Sequence, residues 1–211
     1  MKVPVVDLRD LPPGYASENI RKYASPNPLV QWALHGFLLK VEALVEQCAP
    51  RTILDVGCGE GLIGSYLRRQ RGGSRGHRYV GVDRSWQALK AAARLNLEAD
   101  FVCADLTSLG FRRESFELVL CLEVLEHIPD PLPALAELRR VTSRYCLISV
   151  PHEPFFRLAN FLRGRHLRQW GNHPEHLSQW GPRSFRALLS RSFHVQELQT
   201  PFPWLLALCE Q

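Results

Sequence analysis

From residue 52 onward the chain alternates between short apolar runs and stretches with apolar residues three and four apart. TILDV (52–56), YVGVD (79–83), ADFVCAD (99–105), FELVLCL (116–122) and YCLISVP (145–151) have the length and near-continuous apolarity of strands covered on both faces. Helical spacing fills the gaps at about 61–69, at SWQALKAAARL with Ser85 as its cap, and at PLPALAELRRV (131–141). A longer helix is predicted over 27–48, with Asn27 as N-cap and Pro28 in the first turn. After a long irregular stretch come a helix at GPRSFRALLSR (181–191) and two strand-like segments, HVQELQ (194–199) and WLLALC (204–209). Strands alternating with helices imply right-handed crossovers and a mostly parallel, doubly wound sheet with helices on both faces. The last two strands are joined by a short link containing Pro201 and Pro203. So short a link cannot make a parallel crossover, so the last strand is expected to run antiparallel to its neighbour. The expectation is one α/β domain over 1–211, with 151–181 inserted between a strand and a helix.

Composition narrows the class. The chain has 211 residues, 45% of them hydrophobic and 22% charged, enough for one sizeable core. No apolar run approaches the roughly 20 residues that span a bilayer, and MKVPVVDLRD has no signal-peptide core, so a cytoplasmic protein is expected. Six cysteines form no C-x-x-C pair, which disfavours zinc and redox motifs; they are expected to be small buried hydrophobes, Cys103 and Cys146 among them. The net charge is +5, and 22 of the 26 basic residues are Arg. The densest basic cluster, RRQRGGSRGHR (68–78), lacks interleaved aromatics and is read as a solvated helix end rather than a nucleic-acid contact.

The chemistry begins at TILDVGCGEG (52–61). Gly59 to Gly64 fits G-x-G-x-x-G, and Asp83 follows where a ribose-binding acid belongs, so a dinucleotide is one reading. The turn, however, offers two carboxylates, Asp55 and Glu60, and no nearby Lys, which suits a ligand with positive charge and no phosphate. S-adenosylmethionine (SAM), with a sulfonium and an ammonium, is such a ligand. Acidic residues also stand at successive strand ends: Asp55, Asp83, Asp105 and Glu123, followed by Pro151 and His152. In an open α/β sheet those ends are where ligands bind.

The set LDVGCGEG (54–61), YVGVD (79–83), CADL (103–106) and FELVLCLEVLEHIPDP (116–131) resembles the class I SAM-dependent methyltransferases, a Rossmann-like family, and most closely their small-molecule, quinone-methyltransferase-like branch. The resemblance covers most of residues 50–195. It implies that Asp55, Gly57, Cys58 and Gly59 line the methionine end of SAM. Asp83 would accept both ribose hydroxyls and Asp105 the adenine amino group. Leu106 would lie against the adenine ring, and Leu122 and Glu123 near the methyl group. The implied activity is methyl transfer to a small-molecule acceptor at oxygen or carbon. An RNA methyltransferase and an NAD-dependent oxidoreductase using residues 59–64 are the alternatives.

Methyl transfer asks for alignment and exclusion of water, and an oxygen acceptor also for a base. His176, His127 and His152 are the candidate bases, His176 preferred because it lies in the inserted segment at a position matching the family. His173 and His176 with His152 or Glu175 form a weaker metal reading, and no metal is expected. Within the insertion, Phe155, Phe156, Leu158, Phe161 and Leu162 make an apolar face rimmed by Arg157, Arg163, Arg165 and Arg168. That face suits a lid over an apolar acceptor or a peripheral membrane contact. Arg21 and Tyr23 are expected to fold over the site and hold the cofactor carboxylate.

Overall fold

Asn27 and Pro28 start the longest helix, as the sequence predicts. The Asn27 side-chain oxygen accepts the Leu29 N–H at 2.9 Å, and Pro28, which lacks an N–H, costs nothing in the first turn. The computed structural model describes residues 17–70, 77–96, 98–152 and 178–211. Two compact units divide the chain after Gly110.

The first unit runs α1 (Glu18–Tyr23), α2 (Pro28–Cys48), β1 (Thr52–Val56), α3 (Leu62–Gln70), β2 (Arg78–Asp83), α4 (Trp86–Leu95) and β3 (Asp100–Cys103). Apolar residues three and four apart give α2 one buried face: Val30, Leu34, Phe37, Leu38, Val41, Leu44, Val45 and Cys48. Leu38 and Val41 are wholly buried, and truncating Leu38 to Ala is expected to cost about 2–5 kcal/mol. β1 and β2 pair in parallel from Thr52–Arg78 to Val56–Val82, and β2 and β3 from Val80–Asp100 to Asp83–Cys103, giving the order β3-β2-β1. Gly81 makes that packing feasible. A Cβ there would stand 2.7 Å from the Phe101 ring and 2.9 Å from Cys58 Sγ. Ser85 caps α4, its hydroxyl accepting the Ala88 N–H at 3.2 Å.

The second unit runs β4 (Phe116–Leu122), a 3₁₀ turn (Leu125–His127), α5 (Pro131–Val141), β5 (Thr142–Pro151), α6 (Pro182–Leu189), β6 (His194–Gln199) and β7 (Trp204–Glu210). β4 and β5 are parallel, and β7 lies between β5 and β6, antiparallel to both. The expected antiparallel last strand is therefore present. Asp130 caps α5 through the Leu132 N–H at 3.1 Å. At its other end α5 passes into β5 without a loop, where the Thr142 hydroxyl donates to the Leu138 carbonyl at 2.7 Å.

Two expectations need correction. The strand predicted over 99–105 stops at Cys103, and Asp105 lies beyond it in an isolated bridge with Ser108. Cys103 is exposed rather than buried, because β3 stands at the end of its unit's strand order and carries three exposed residues out of four. Among the described residues no helix is long and apolar enough to cross a membrane.

Candidate functional site

The strand-end turn after β1 is held by its own backbone. Gly57, Gly59 and Gly61 all have left-handed φ values, of 75°, 53° and 70°, which explains the repeated glycines. The Gly57 and Cys58 amides both donate to the Val82 carbonyl, at 2.7 and 3.0 Å. The Gly61 amide donates to the Cys58 carbonyl at 2.8 Å, and the Gly59 amide to Asp83 Oδ2 at 2.9 Å. Four amides that could have faced a pyrophosphate are thus already engaged. The space over Gly59 is open, since a Cβ there would meet nothing nearer than Asn19 Nδ2 at 3.6 Å.

Asp83 is the hinge of the arrangement. Its Oδ1 accepts the Ser85 N–H at 2.7 Å while Oδ2 accepts Gly59, so both oxygens are fixed and each keeps one lone pair. That half-buried carboxylate can receive two ligand hydroxyls. The Ala104 amide donates to the Asp83 carbonyl at 3.2 Å, which brings the exit of β3 alongside. Asp105 follows, exposed, with Oδ1 accepting both the Thr107 amide at 2.8 Å and the Thr107 hydroxyl at 2.6 Å. Those bonds hold its carboxyl below the ordinary carboxylate range, so it stays an acceptor. Leu106 beside it is partly buried.

Asp55 behaves differently. It is only 2% exposed and takes a short hydrogen bond from the Tyr79 hydroxyl. Burial, partly offset by that bond, pushes its carboxyl up to about 6, and the Asp83 charge adds to the rise. Burial together with the Asp55 and Asp83 charges also pushes the Cys58 thiol far up, so Cys58 is a neutral lining group and not a nucleophile. Glu60 is buried too, and accepts from Asn19 Nδ2 at 3.1 Å. α1 thus lies against the glycine turn, with Ile20 packed on Leu62 and Leu95. Tyr23 joins that apolar cluster. Tyr79 and Asn19 escaped the sequence reading. The signal for Tyr79 was Gly64, where a Cβ would stand 2.5 Å from the tyrosine ring.

In the second unit, Leu122 is buried and Glu123 takes a left-handed φ of 60°. Its carboxylate accepts the Trp204 indole N–H at 2.5 Å and the Ser149 hydroxyl at 3.1 Å. Trp204 was not among the sequence candidates, being 81 residues away from Glu123 along the chain. His152 is half-buried at the end of β5, its amide donating to the Pro203 carbonyl at 2.9 Å. Burial holds its imidazole below the ordinary value of 6.5, so it is a neutral acceptor at physiological pH. His127 is exposed on the 3₁₀ turn. His173, Glu175, His176 and the apolar face over 155–168 lie outside the described residues. Of the basic cluster at 68–78, Arg68 pairs with Glu98 at 3.7 Å and Arg78 with Asp100 at 3.6 Å, as solvated surface charges do. Residues 71–76 lie outside the described set.

Comparison with known proteins adds a family. Residues 54–148 match a family described as a methyltransferase domain. A ubiquinone biosynthesis O-methyltransferase from Idiomarina loihiensis is 40% identical over 86 residues, which is 38% of this chain and 33% of that protein. One of the same description from Coxiella burnetii is 27% identical over 170 residues, 71% of this chain and 70% of that protein. The chain thus spans about a third of the first relative's length and more of the second's. Magnesium protoporphyrin IX methyltransferase from Synechocystis, solved with bound SAH, superposes with a TM-score of 0.65 at 18% identity, covering 90% of this chain and 91% of that one. That likeness shows a shared Rossmann-like α/β fold, with parallel β1, β2 and β3 in the first unit and, in the second, parallel β4 and β5 beside an antiparallel last strand.

Proposed function

We propose that this chain, whose residues 54–148 match a methyltransferase domain family, is a class I SAM-dependent enzyme that transfers a methyl group from SAM to a small-molecule acceptor, at oxygen or carbon. The observation that carries the reading is Asp83. Its carboxylate is fixed by two backbone amides, it stands beside an open left-handed glycine turn, and it keeps two lone pairs for a pair of ribose hydroxyls. Residues 1–211 act as one domain in this reading. Asp55, Gly57, Cys58 and Gly59 line the methionine end, where ionised Asp55 favours the ammonium and sulfonium. Asp105 accepts the adenine amino group, Leu106 covers the ring, and Leu122 and Glu123 border the reacting methyl.

SAM supplies a methyl already made electrophilic by the sulfonium. The chain's own part is to align the acceptor and keep water out. Where the acceptor is a hydroxyl, neutral His152 takes its proton; His127 and His176 are the other candidates. The acceptor class follows the quinone-pathway names of the relatives and the apolar sequence over 155–168. The nicotinamide alternative needs free amides in the turn, and four of them are engaged.

The test is calorimetric titration with S-adenosylhomocysteine, NAD and NADH. Binding of the first alone is expected. Asp83→Asn and Asp83→Ala should each weaken it by at least about 1 kcal/mol, about fivefold, since a charged acceptor is lost. Binding of the nicotinamide cofactors alone overturns the reading.

A further inference from the structure

The second unit contains an open cavity of about 660 Å³ at the amino ends of β4 and β5. It lies one strand length, about 20 Å over the seven residues of β4, from the Glu123 end. Arg113, Arg139, Arg140 and Arg144 line it, from the turn before β4, the last turn of α5 and the start of β5. Arg140 is committed elsewhere: two 2.6 Å bonds join it to Glu137 and one of 2.7 Å to the Phe111 carbonyl. Arg113, Arg139 and Arg144 are exposed and form no ion pair among the described residues. Complementing the carbonyl end of α5 explains one cation there, not three from different elements.

The framework under these side chains is tied down. The Glu114 amide donates to the Arg140 carbonyl at 2.8 Å and the Gln211 amide to the Arg144 carbonyl at 3.0 Å. The Gln211 side chain donates to the Arg139 carbonyl at 3.4 Å, and the Ser143 hydroxyl to the Phe116 carbonyl at 3.1 Å. The Arg144 guanidinium is steadied 5.0 Å over the Tyr145 ring. The backbones carrying the three arginines outside ion pairs are therefore held in place, and Arg144 also donates to the Tyr145 hydroxyl at 3.4 Å.

We propose that this cavity binds a small phosphorylated polyol. Three exposed guanidinium groups that line one cavity and are held in no ion pair among the described residues suit a phosphate dianion, which arginine grips through paired N–H groups. Apart from Ala136 the rest of the lining is polar, and it has no aromatic ring: Glu114, Ser143, Ser192, Glu210 and Gln211. Those groups match hydroxyls, and none offers a platform for a nucleobase. With Arg140 neutralised by Glu137, three arginines against two carboxylates leave the lining a small positive excess, which fits one phosphate better than a polyphosphate.

The proposal is independent of the methyltransferase reading and is tested without activity. Ribose 5-phosphate, ribose and single-stranded RNA are titrated at low salt into the wild type and into Arg139→Ala/Arg144→Ala, with thermal unfolding as the check on folding. Ribose 5-phosphate is expected to bind the wild type, about tenfold or more weaker to a folded double variant, and ribose not at all. If the double variant fails to fold, the single variants Arg113→Gln and Arg144→Gln take its place, each expected to weaken binding. No binding of ribose 5-phosphate, binding that the substitutions leave unchanged, or binding of RNA alone each overturns it, the last by making the cavity part of a nucleic-acid contact.

Discussion

Asp55→Asn should make the protein more stable. A carboxyl whose ordinary value is 3.8 is held at about 6 in the folded chain. Between those values the unfolded chain has released its proton while the folded chain keeps it. The folded state then binds more protons, so stability falls as pH rises through that window. The destabilisation is absent below 3.8 and complete above about 6. At 1.36 kcal/mol per pH unit, the gap of about two units amounts to about 3 kcal/mol at neutral pH. Asparagine has no charge to bury and its side-chain oxygen still accepts the Tyr79 hydroxyl, so the variant escapes most of that cost. The assay is denaturant unfolding of both proteins across pH 4 to 8 (about the range in which Asp55 changes charge), reading the difference between them so that other carboxylates cancel. The difference should be near zero at the acid end and grow towards about 3 kcal/mol above pH 6. A pH-independent difference, or an asparagine variant less stable at neutral pH, would show that Asp55 is not a strained buried carboxylate. On the proposed function the same variant binds S-adenosylhomocysteine more weakly, so stability and affinity move in opposite directions.

Three further outcomes follow from particular contacts. Gly64→Ala places a Cβ 2.5 Å from the Tyr79 ring and should destabilise by about 1–3 kcal/mol in thermal or denaturant unfolding, with partial rescue by Tyr79→Leu; no loss would mean the ring moves aside freely. Trp204→Phe removes the 2.5 Å indole bond to Glu123 and should cost about 1.5–3 kcal/mol, read by denaturation, whereas unchanged stability would dissociate Trp204 from Glu123. Because burial holds His152 below 6.5, kcat/KM on a hydroxyl acceptor should fall only at pH below that value, and His152→Gln should remove that limb along with most of the rate. An acid limb that survives the substitution assigns the base elsewhere.

The sequence made four of the strand ends legible because an acid stands at or near the point where each apolar run stops. Asp55, Asp83 and Glu123 stand at or just after the ends of β1, β2 and β4, and only Asp105 falls beyond its shortened strand. The antiparallel β7 was legible from the length of the 200–203 link. What escaped is what depends on contacts distant in the chain. Pattern along the chain does not reveal that Tyr79 answers Asp55, that Asn19 answers Glu60, or that Trp204 reaches Glu123. α1, six residues long, has too few apolar positions to give a period, yet it packs Ile20 beside the glycine turn. The Arg-lined cavity was invisible for the same reason, since its arginines come from separate segments.

The four engaged amides of the glycine turn have a thermodynamic consequence. A loop that must be ordered by its ligand gives up conformational entropy at binding; this one is ordered when the chain folds. Its association with a ligand should show little coupled-folding signature, with a heat-capacity change close to that expected from the apolar surface covered. Asp83→Asn would redistribute that balance: with the Gly59 amide less firmly held, its exchange with solvent hydrogen should quicken in the free protein, and part of the ordering would move from the folding step to the binding step.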